Sequence, residues 1–229
     1  MSDHLATSEI KKQEAFNALQ KSRDELEIRV EQRTRDLKEI NDRMSIEITE
    51  RIRAQKALEE AAMTDPLTGL MNRRAIMAHL QHQVARNQRS EVPFTILLAD
   101  LDHFKTVNDS YGHDAGDLAL METSKRFASH IRGQDIVSRW GGEEFLILLP
   151  ETSLEGGRIV AEKIRNRIAG EPFFWGGKAI FLTTSIGVAA YDKGSSLDEC
   201  IRRADASLYK AKRLGRNRVE WEAGEIGKT

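Results

Sequence analysis

The chain has one cysteine in 229 residues, Cys200. An intramolecular disulfide is therefore excluded, and a cysteine-built metal cluster is untenable. Glycine and proline are missing from the first 65 residues, although 16 glycines and 4 prolines follow from Pro66 onward. Aromatic residues make up only 6% of the chain, and Phe16 alone precedes residue 63. The early part thus lacks the turns and the bulk needed to enclose a ligand pocket. The longest apolar run, around Phe94 to Ala99, falls far short of the roughly 20 residues that span a bilayer. An excess of one charge is also missing: 35 Lys+Arg face 36 Asp+Glu, for a net charge of −1. That balance leaves no electrostatic footprint for nucleic acid or an anionic membrane. The start, MSDHLATSEI, has neither the basic nor the apolar segment of a signal peptide. These absences predict a soluble cytoplasmic protein.

What is present falls into two regions. Residues 1–62 hold 12 Lys/Arg and 14 Asp/Glu with no helix breaker, which predicts one continuous helix about 90 Å long at about 1.5 Å per residue. Leu19, Arg23, Leu26, Val30, Arg33, Leu37, Ile40 and Met44 follow alternating steps of four and three, the seam of a dimeric coiled coil. Beyond Met44 two registers compete. One continues through Glu47, Arg51, Ala54, Leu58 and Ala61; the other takes Ile48, Ile52, Gln55, Glu59 and Ala62. A surface helix packed on its own domain is the alternative to the dimer.

From Met63 the texture changes to short apolar runs punctuated by glycines. TDPLTGLMNRR places a Pro and a Gly near a helix start, and AIMAHLQHQVARNQ reads as helix. PFTILLADLDHF reads as a buried strand running into acids, and DAGDLALMETSKRFASHI as an amphipathic helix. DIVSRW and EEFLILLP are strand-like and separated by Gly141 and Gly142, which predicts a hairpin turning on those two residues. A helix over 154–168, a strand over 180–190 and a helix over 197–214 complete the pattern. The expected fold class is α/β, a mixed sheet covered by helices. The expected domains are a signalling helix over 1–62, a globular domain over 63–222 and a tail over 223–229.

Asp100 and Asp102 stand at the end of an apolar strand, and Glu143 and Glu144 at the hairpin turn. Neighbouring strands would bring them together. Hard carboxylates without His or Cys partners suit Mg²⁺ or Mn²⁺ and a phosphate substrate rather than zinc. The glycines would let a phosphate chain approach the backbone, and Lys212 and Arg216 could hold phosphates. The plainer alternative is a set of solvated acids.

RWGGEEFLILLP (139–150) resembles the signature of the GGDEF family of diguanylate cyclases, in its GGEEF form. TDPLTGLMNRR, DLDHFKTVNDSYGHDAGD, RGQD, TSIGVA and ADASLYKAKRLGRNRV resemble further family segments in the same order. Together they cover nearly all of residues 64–219. The resemblance implies a palm-like nucleotidyl cyclase sandwich that condenses two GTP into cyclic di-GMP and two pyrophosphates.

It also implies roles. Asp100, the Leu101 carbonyl and Glu143 would bind the metal, with Glu143 the favoured proton acceptor; Glu144 is either a second candidate or a structural carboxylate. Asn108 and Asp117 match the guanine-reading pair. Phe104 and Lys105 match the family's F-K pair, Lys212 and Arg216 its phosphate contacts, and Gly141 and Gly142 would lie against the nucleotide. Arg132 and Asp135 match an R-x-x-D inhibitory site for the product, to which Lys163 would add a secondary contact. His103 and His113 are read as structural. The reaction implies a homodimer, positioned by the parallel coiled coil, with an upstream sensor module absent from this chain. A nucleotide-sensing domain without turnover and a palm-type nucleotidyl transferase are the competing readings.

Overall fold

The computed structural model describes the backbone of residues 2–61 and 63–221, with side chains from residue 63 and for most of residues 20–55. Leu19, Ala54, Leu58, Glu59, Ala61, Ala62 and the tail 223–229 therefore lie outside the described side chains. The chain divides into two compact units, residues 1–59 and 60–229.

Helix α1 (Ser2–Ala61) runs for 60 residues without interruption, as a segment free of glycine and proline should. Its expected seam carries apolar side chains open to solvent: Leu26, Val30, Leu37, Ile40 and Met44 are each more than half exposed. Ile48 and Ile52, from the second register, are equally open. Ion pairs one turn apart, Arg35–Glu31 and Arg43–Glu39, support the helix.

The second unit is a six-stranded mixed sheet with helices on both faces. Its strands are β1 (Met71–Asn72), β2 (Phe94–Asp102), β3 (Ile136–Gly141), β4 (Glu144–Pro150), β7 (Thr183–Ala190) and β8 (Val219–Trp221), in the order β1-β3-β4-β2-β7-β8. β2 lies at the centre, antiparallel to both β4 and β7, and all nine of its residues are buried. Side chains alternate across a strand, and here the alternation assigns each to a core. Leu97, Ala99 and Leu101 pack with α4 (His113–Ser129) and α5 (Leu154–Gly170). Phe94, Ile96 and Leu98 pack with α2 (Arg73–Ser90) and α6 (Leu197–Arg213). β4 repeats the division, with Phe145, Ile147 and Leu149 on the first face and Leu146 and Leu148 on the second.

Several expectations change in detail. The hairpin does not turn on Gly141 and Gly142. A register shift between Arg139 and Gly141 moves the ladder by one residue, so Gly141 pairs with Glu144 and the turn is Gly142–Glu143. Only Gly142 needs a left-handed backbone there, at φ 54°. The strand expected over 180–190 is broken at Phe181 and Leu182, because its first part belongs to a separate hairpin. That hairpin joins β5 (Phe173–Trp175) to β6 (Lys178–Ile180). The stretch after β2, to which the sequence pattern assigns no element, forms a short helix α3 (Phe104–Tyr111). TDPLTG is a closed turn before β1, held by Asp65, and α2 begins only at Arg73, where the Asn72 side chain accepts the Ala75 N–H at 3.0 Å.

Candidate active site

The acids converge where β2 ends and β4 begins. Asp100 is paired with Glu144 across the ladder, and alternation puts both on the face covered by α6. Glu143 follows at the hairpin tip, where its carbonyl accepts the Leu101 N–H at 3.4 Å. Asp100 is nearly buried, and Lys212 from the last turn of α6 reaches it at 2.7 Å. The position of that lysine follows from the helix: Ser196 caps α6 at its start, and Lys210, Lys212 and Arg213 gather at its negative end.

The electrostatics are those of crowded acids. Burial pushes the Asp100 carboxyl above its ordinary value; Lys212 opposes that, while Glu143 and Asp102 add to it. Glu144 is raised by burial and then by Asp100, with smaller pushes from Asp205 and Glu143 against Lys212. Among the described residues no group of three or more His, Cys, Asp or Glu is arranged to hold a metal. A carboxylate pair with a main-chain oxygen nevertheless suits Mg²⁺, which commonly takes one or two carboxylates and completes its shell with phosphate and water. The mutual repulsion of the acids is what such a cation would relieve.

Asp102 does not join this cluster through its side chain. It is buried and accepts hydrogen bonds from Thr183 Oγ1, Ser185 Oγ and the Asn217 backbone N–H. The strand end is further held by Thr184 Oγ1, which donates to the Asp100 carbonyl at 2.9 Å.

On the opposite face, α3 packs against α4. Gly116 of α4 is buried with no room for a side chain: an added Cβ would overlap Asn108 Oδ1 and come within 3.0 Å of Asn108 Cγ and 3.2 Å of Phe104 Cζ. This close approach brings half-buried Asn108 next to the turn of α4 that presents exposed Asp117. Phe104 is partly buried against the core, and Lys105 is exposed. Arg216 is exposed on a left-handed turn after α6. Gly141 and Gly142 are exposed, with no protein atom within 4 Å of where a side chain would begin. His103 stands at the N-cap position of α3 in a left-handed conformation, without a side-chain capping bond, and His113 opens α4.

Arg132 and Asp135 form a closed turn. The Arg132 N–H donates to Asp135 Oδ2 at 2.8 Å and the Asp135 N–H to the Arg132 carbonyl at 3.0 Å. The carboxylate thus holds the arginine's backbone and leaves its side chain in solvent, and Asp135 Oδ1 is buried without a hydrogen-bond partner. Lys163 is exposed on α5.

Two residues that sequence reasoning passed over hold the hairpin tip. Arg139 Nε donates to the Gly142 carbonyl at 2.9 Å, while its Nη1 reaches both Asp65 oxygens at 3.1 and 3.2 Å. Burial raises the Asp65 carboxyl, but its bonds from Thr68 and the Arg139 charge outweigh that and hold it below the ordinary range. The signal was available: an arginine just before the glycines and an aspartate in the turn opening the domain.

The profile described as "Diguanylate cyclase, GGDEF domain" matches residues 62–218. The diguanylate cyclase DgcP of Pseudomonas aeruginosa is 43% identical over 161 residues, covering 70% of this chain and 24% of that protein. The response regulator PleD of Caulobacter vibrioides is 42% identical over 167 residues, covering 72% and 37%. The chain therefore spans only a quarter to two fifths of these curated relatives. Among solved structures, the diguanylate cyclase SiaD of Pseudomonas aeruginosa, in complex with its activator SiaC, superimposes with a TM-score of 0.70 at 35% identity, covering 93% of this chain and 82% of that one. The coiled coil and GGDEF domain of DgcB from Caulobacter crescentus, in complex with c-di-GMP, gives 0.69 at 29% identity, covering 79% and 98%. With the signature turn placed beside the buried aspartate of the central strand, this chain belongs to the GGDEF family of diguanylate cyclases.

Proposed function

We propose that the chain condenses two GTP into cyclic di-GMP with release of two pyrophosphates. The observation that carries this reading is the register of the central strands, which sets Asp100 opposite Glu144, beside Glu143 and under Lys212. Asp100, the Leu101 carbonyl and Glu143 would hold Mg²⁺ or Mn²⁺, which when bound neutralises charge on the triphosphate and polarises its α-phosphate. Lys212 and Arg216 contribute positive charge beside the phosphates. Glu143 takes the 3′-hydroxyl proton, and Glu144, its carboxyl raised by burial and by Asp100, tunes the charge of the cluster. Gly141 and Gly142 leave the hairpin tip open to the nucleotide backbone.

Asn108 and Asp117 read guanine, whose N1–H and N2–H₂ meet acceptors that adenine cannot match. Phe104, like Asn108, lies close to Gly116, and Lys105 adds charge at the same mouth. Gly116→Ala is expected to fold, because the side chain that must move is the tip of Asn108. Its KM for GTP is expected to rise about tenfold, the value of one displaced hydrogen bond. An unchanged KM in steady-state assays would separate Asn108 from base recognition.

The product joins two nucleotides symmetrically, so two active sites must face each other across a twofold axis. A parallel coiled coil of α1, followed by the catalytic domain from about residue 63, supplies that proximity. The exposed stripe from Leu26 to Met44 supports this dimer, and an upstream sensor module would act through it. Leucines at Glu47 and Arg51 should lock one register, and leucines at Gln55 and Glu59 the other. The two proteins are expected to differ in turnover by about tenfold or more; equal rates would remove the register from control.

Arg132 and Asp135 bind the product and hold the enzyme off. Asp135 sets the arginine's backbone, and the free guanidinium can both pair with phosphate and stack on guanine. Arg132→Ala is expected to raise the cyclic di-GMP concentration for half inhibition by about 10–100-fold, the worth of a charged hydrogen bond. Inhibition curves that coincide with the parent would dismiss the site.

The direct test of the activity is purified protein with GTP and Mg²⁺, scored by chromatography for cyclic di-GMP beside a Glu143→Gln control. Product from the parent and none from the control supports the reading. Binding of GTP without product would favour a sensing module instead.

A further inference from the structure

Asp102 is the second acid of the strand end, two residues from Asp100 and on the same face. In a site that collects carboxylates around a cation, it looks at first like one more ligand. Its surroundings assign it otherwise. The residue is 3% exposed, and three donors occupy its carboxylate. Thr183 Oγ1 donates to Oδ2 and Ser185 Oγ to Oδ1, both at 2.7 Å. The Asn217 backbone N–H donates to Oδ2 at 3.0 Å.

The third bond matters most because of where Asn217 sits. Gly215, Arg216 and Asn217 are three consecutive residues with positive φ, at 113°, 60° and 46°. Two of them carry side chains, for which that conformation is strained, so the turn needs support from outside itself. Besides a long bond from the adjacent Arg218 Nε to the Arg216 carbonyl at 3.4 Å, three contacts tie it to other elements. The Arg216 N–H donates to the Ala211 carbonyl at the end of α6, at 3.0 Å. Arg165 Nη1 donates to Asn217 Oδ1 at 2.8 Å. Asp102 holds the Asn217 N–H. Of these, only Asp102 ties the turn to the strand that carries Asp100.

We propose that Asp102 is a positioning residue: its carboxylate fixes the strained Gly215–Asn217 turn to the end of β2, and so sets where Arg216 stands relative to Asp100. The inference rests on the reading of Arg216 as a phosphate contact. It separates the two acids of one short motif by task, Asp100 toward the cation and Asp102 toward the cationic loop. An asparagine can reproduce the arrangement. Its oxygen would accept from Thr183 and Asn217, and its amide would donate to Ser185 Oγ. Alanine can reproduce none of it.

The experiment compares Asp102→Ala, Asp102→Asn, Arg216→Ala and the double variant Asp102→Ala/Arg216→Ala in the full chain. Asp102→Ala is expected to lower kcat/KM for GTP by about 10–100-fold, the usual loss when a supporting partner goes, mostly through KM. Asp102→Asn is expected to stay within about threefold of the parent with an unchanged Mg²⁺ requirement. The double variant should fall no further than Arg216→Ala, because residues acting through one another are not additive. Hydrogen exchange gives a readout independent of turnover: the Asn217 amide should lose protection in the alanine variant and keep it in the asparagine variant. If Asp102→Ala does not fold, the asparagine variant decides alone, by amide protection and activity together. A loss in Asp102→Asn that extra Mg²⁺ restores would make Asp102 a ligand and overturn the proposal. So would full additivity in the double variant. If the parent makes no cyclic di-GMP while the exchange pattern follows Asp102, the cyclase reading fails and the turn's dependence on Asp102 stands.

Discussion

Replacing Glu143 by glutamine is expected to leave the protein folded and remove nearly all cyclic di-GMP synthesis. The side chain sits at a half-exposed hairpin tip, while the residue's main-chain carbonyl accepts the Leu101 N–H. Glutamine keeps that carbonyl and the side chain's size, so the folding cost should stay within about 0.5 kcal/mol. The removed charge also stood against Asp100, whose carboxyl is raised by burial and further by Glu143. A carboxyl raised in the folded state binds more protons there than in the unfolded chain, so its contribution to stability falls as pH rises through that range. Taking Glu143's charge away lessens this penalty at neutral pH. The melting temperature without metal should therefore hold or rise slightly. Turnover behaves differently: on the proposed role of Glu143 as a charged ligand of the cation, its loss should cost about 4 kcal/mol of barrier, or about 10³-fold in kcat. The stabilisation that Mg²⁺ with GTP gives the parent should shrink in parallel. Rates and melting curves on one preparation check both, and a variant retaining a tenth of parental turnover would remove Glu143 from the site.

The elements legible in the sequence were those whose own residues determine them. β2 announced itself by a run of apolar residues long enough for a central strand. α5 and α6 were legible as helices over 154–168 and 197–214, and the structure shows Ser153 and Ser196 capping them. The long helix followed from the absence of breakers. The elements that escaped notice depend on distant partners. α3 has eight residues, includes Asn108, Asp109 and Ser110, and begins at a left-handed His103. None of these favours a helix by itself; its packing on α4, made close by Gly116, stabilises it. β1, β5, β6 and β8 have two or three residues each, too few for any period to show.

The site divides in the same way. That Asp100 and the signature glutamates meet could be inferred from a strand end and a hairpin. The hairpin's register could not, because a shift between Arg139 and Gly141 is a tertiary adjustment with no local signal. It decides that Glu143, and not a second glycine, sits at the turn. The separation of Asp100 from Asp102 was also hidden. Two acids in alternate positions look equivalent in a sequence, and only the hydroxyls of β7 and the turn after α6 distinguish them.

Replacing Gly187 by alanine is expected to have the largest effect on stability of any single methyl added to this domain. Gly187 lies in the middle of β7 opposite Leu98 of the central strand. α6 crosses it so closely that an added Cβ would overlap the Ala204 carbonyl oxygen and the Leu208 nitrogen, and would come within 3.0 Å of Leu208 Cα. These are backbone atoms, so no side-chain rotation can make room. The strand cannot yield either, since β2 pairs with β7 from Thr183 to Ala190. The helix itself would have to lift. Lifting it opens the packing of Cys200, Ala204 and Leu208, all buried against the sheet, and draws Lys212 away from Asp100. Overpacking of this kind costs 1–3 kcal/mol where side chains can adjust; against a fixed backbone about 3–4 kcal/mol is expected. For a domain of this size that lowers the melting temperature by about 10 °C, and turnover should fall with it as the lysine is displaced. Gly141→Ala is the contrast: the position has open space around it and no positive φ, so its melting temperature should match the parent. Thermal unfolding of the two variants side by side tests the packing directly. Equal stability would mean that α6 rides on the sheet loosely enough to move by the width of a methyl group, and a helix that loose could not hold Lys212 at a fixed distance from the acids.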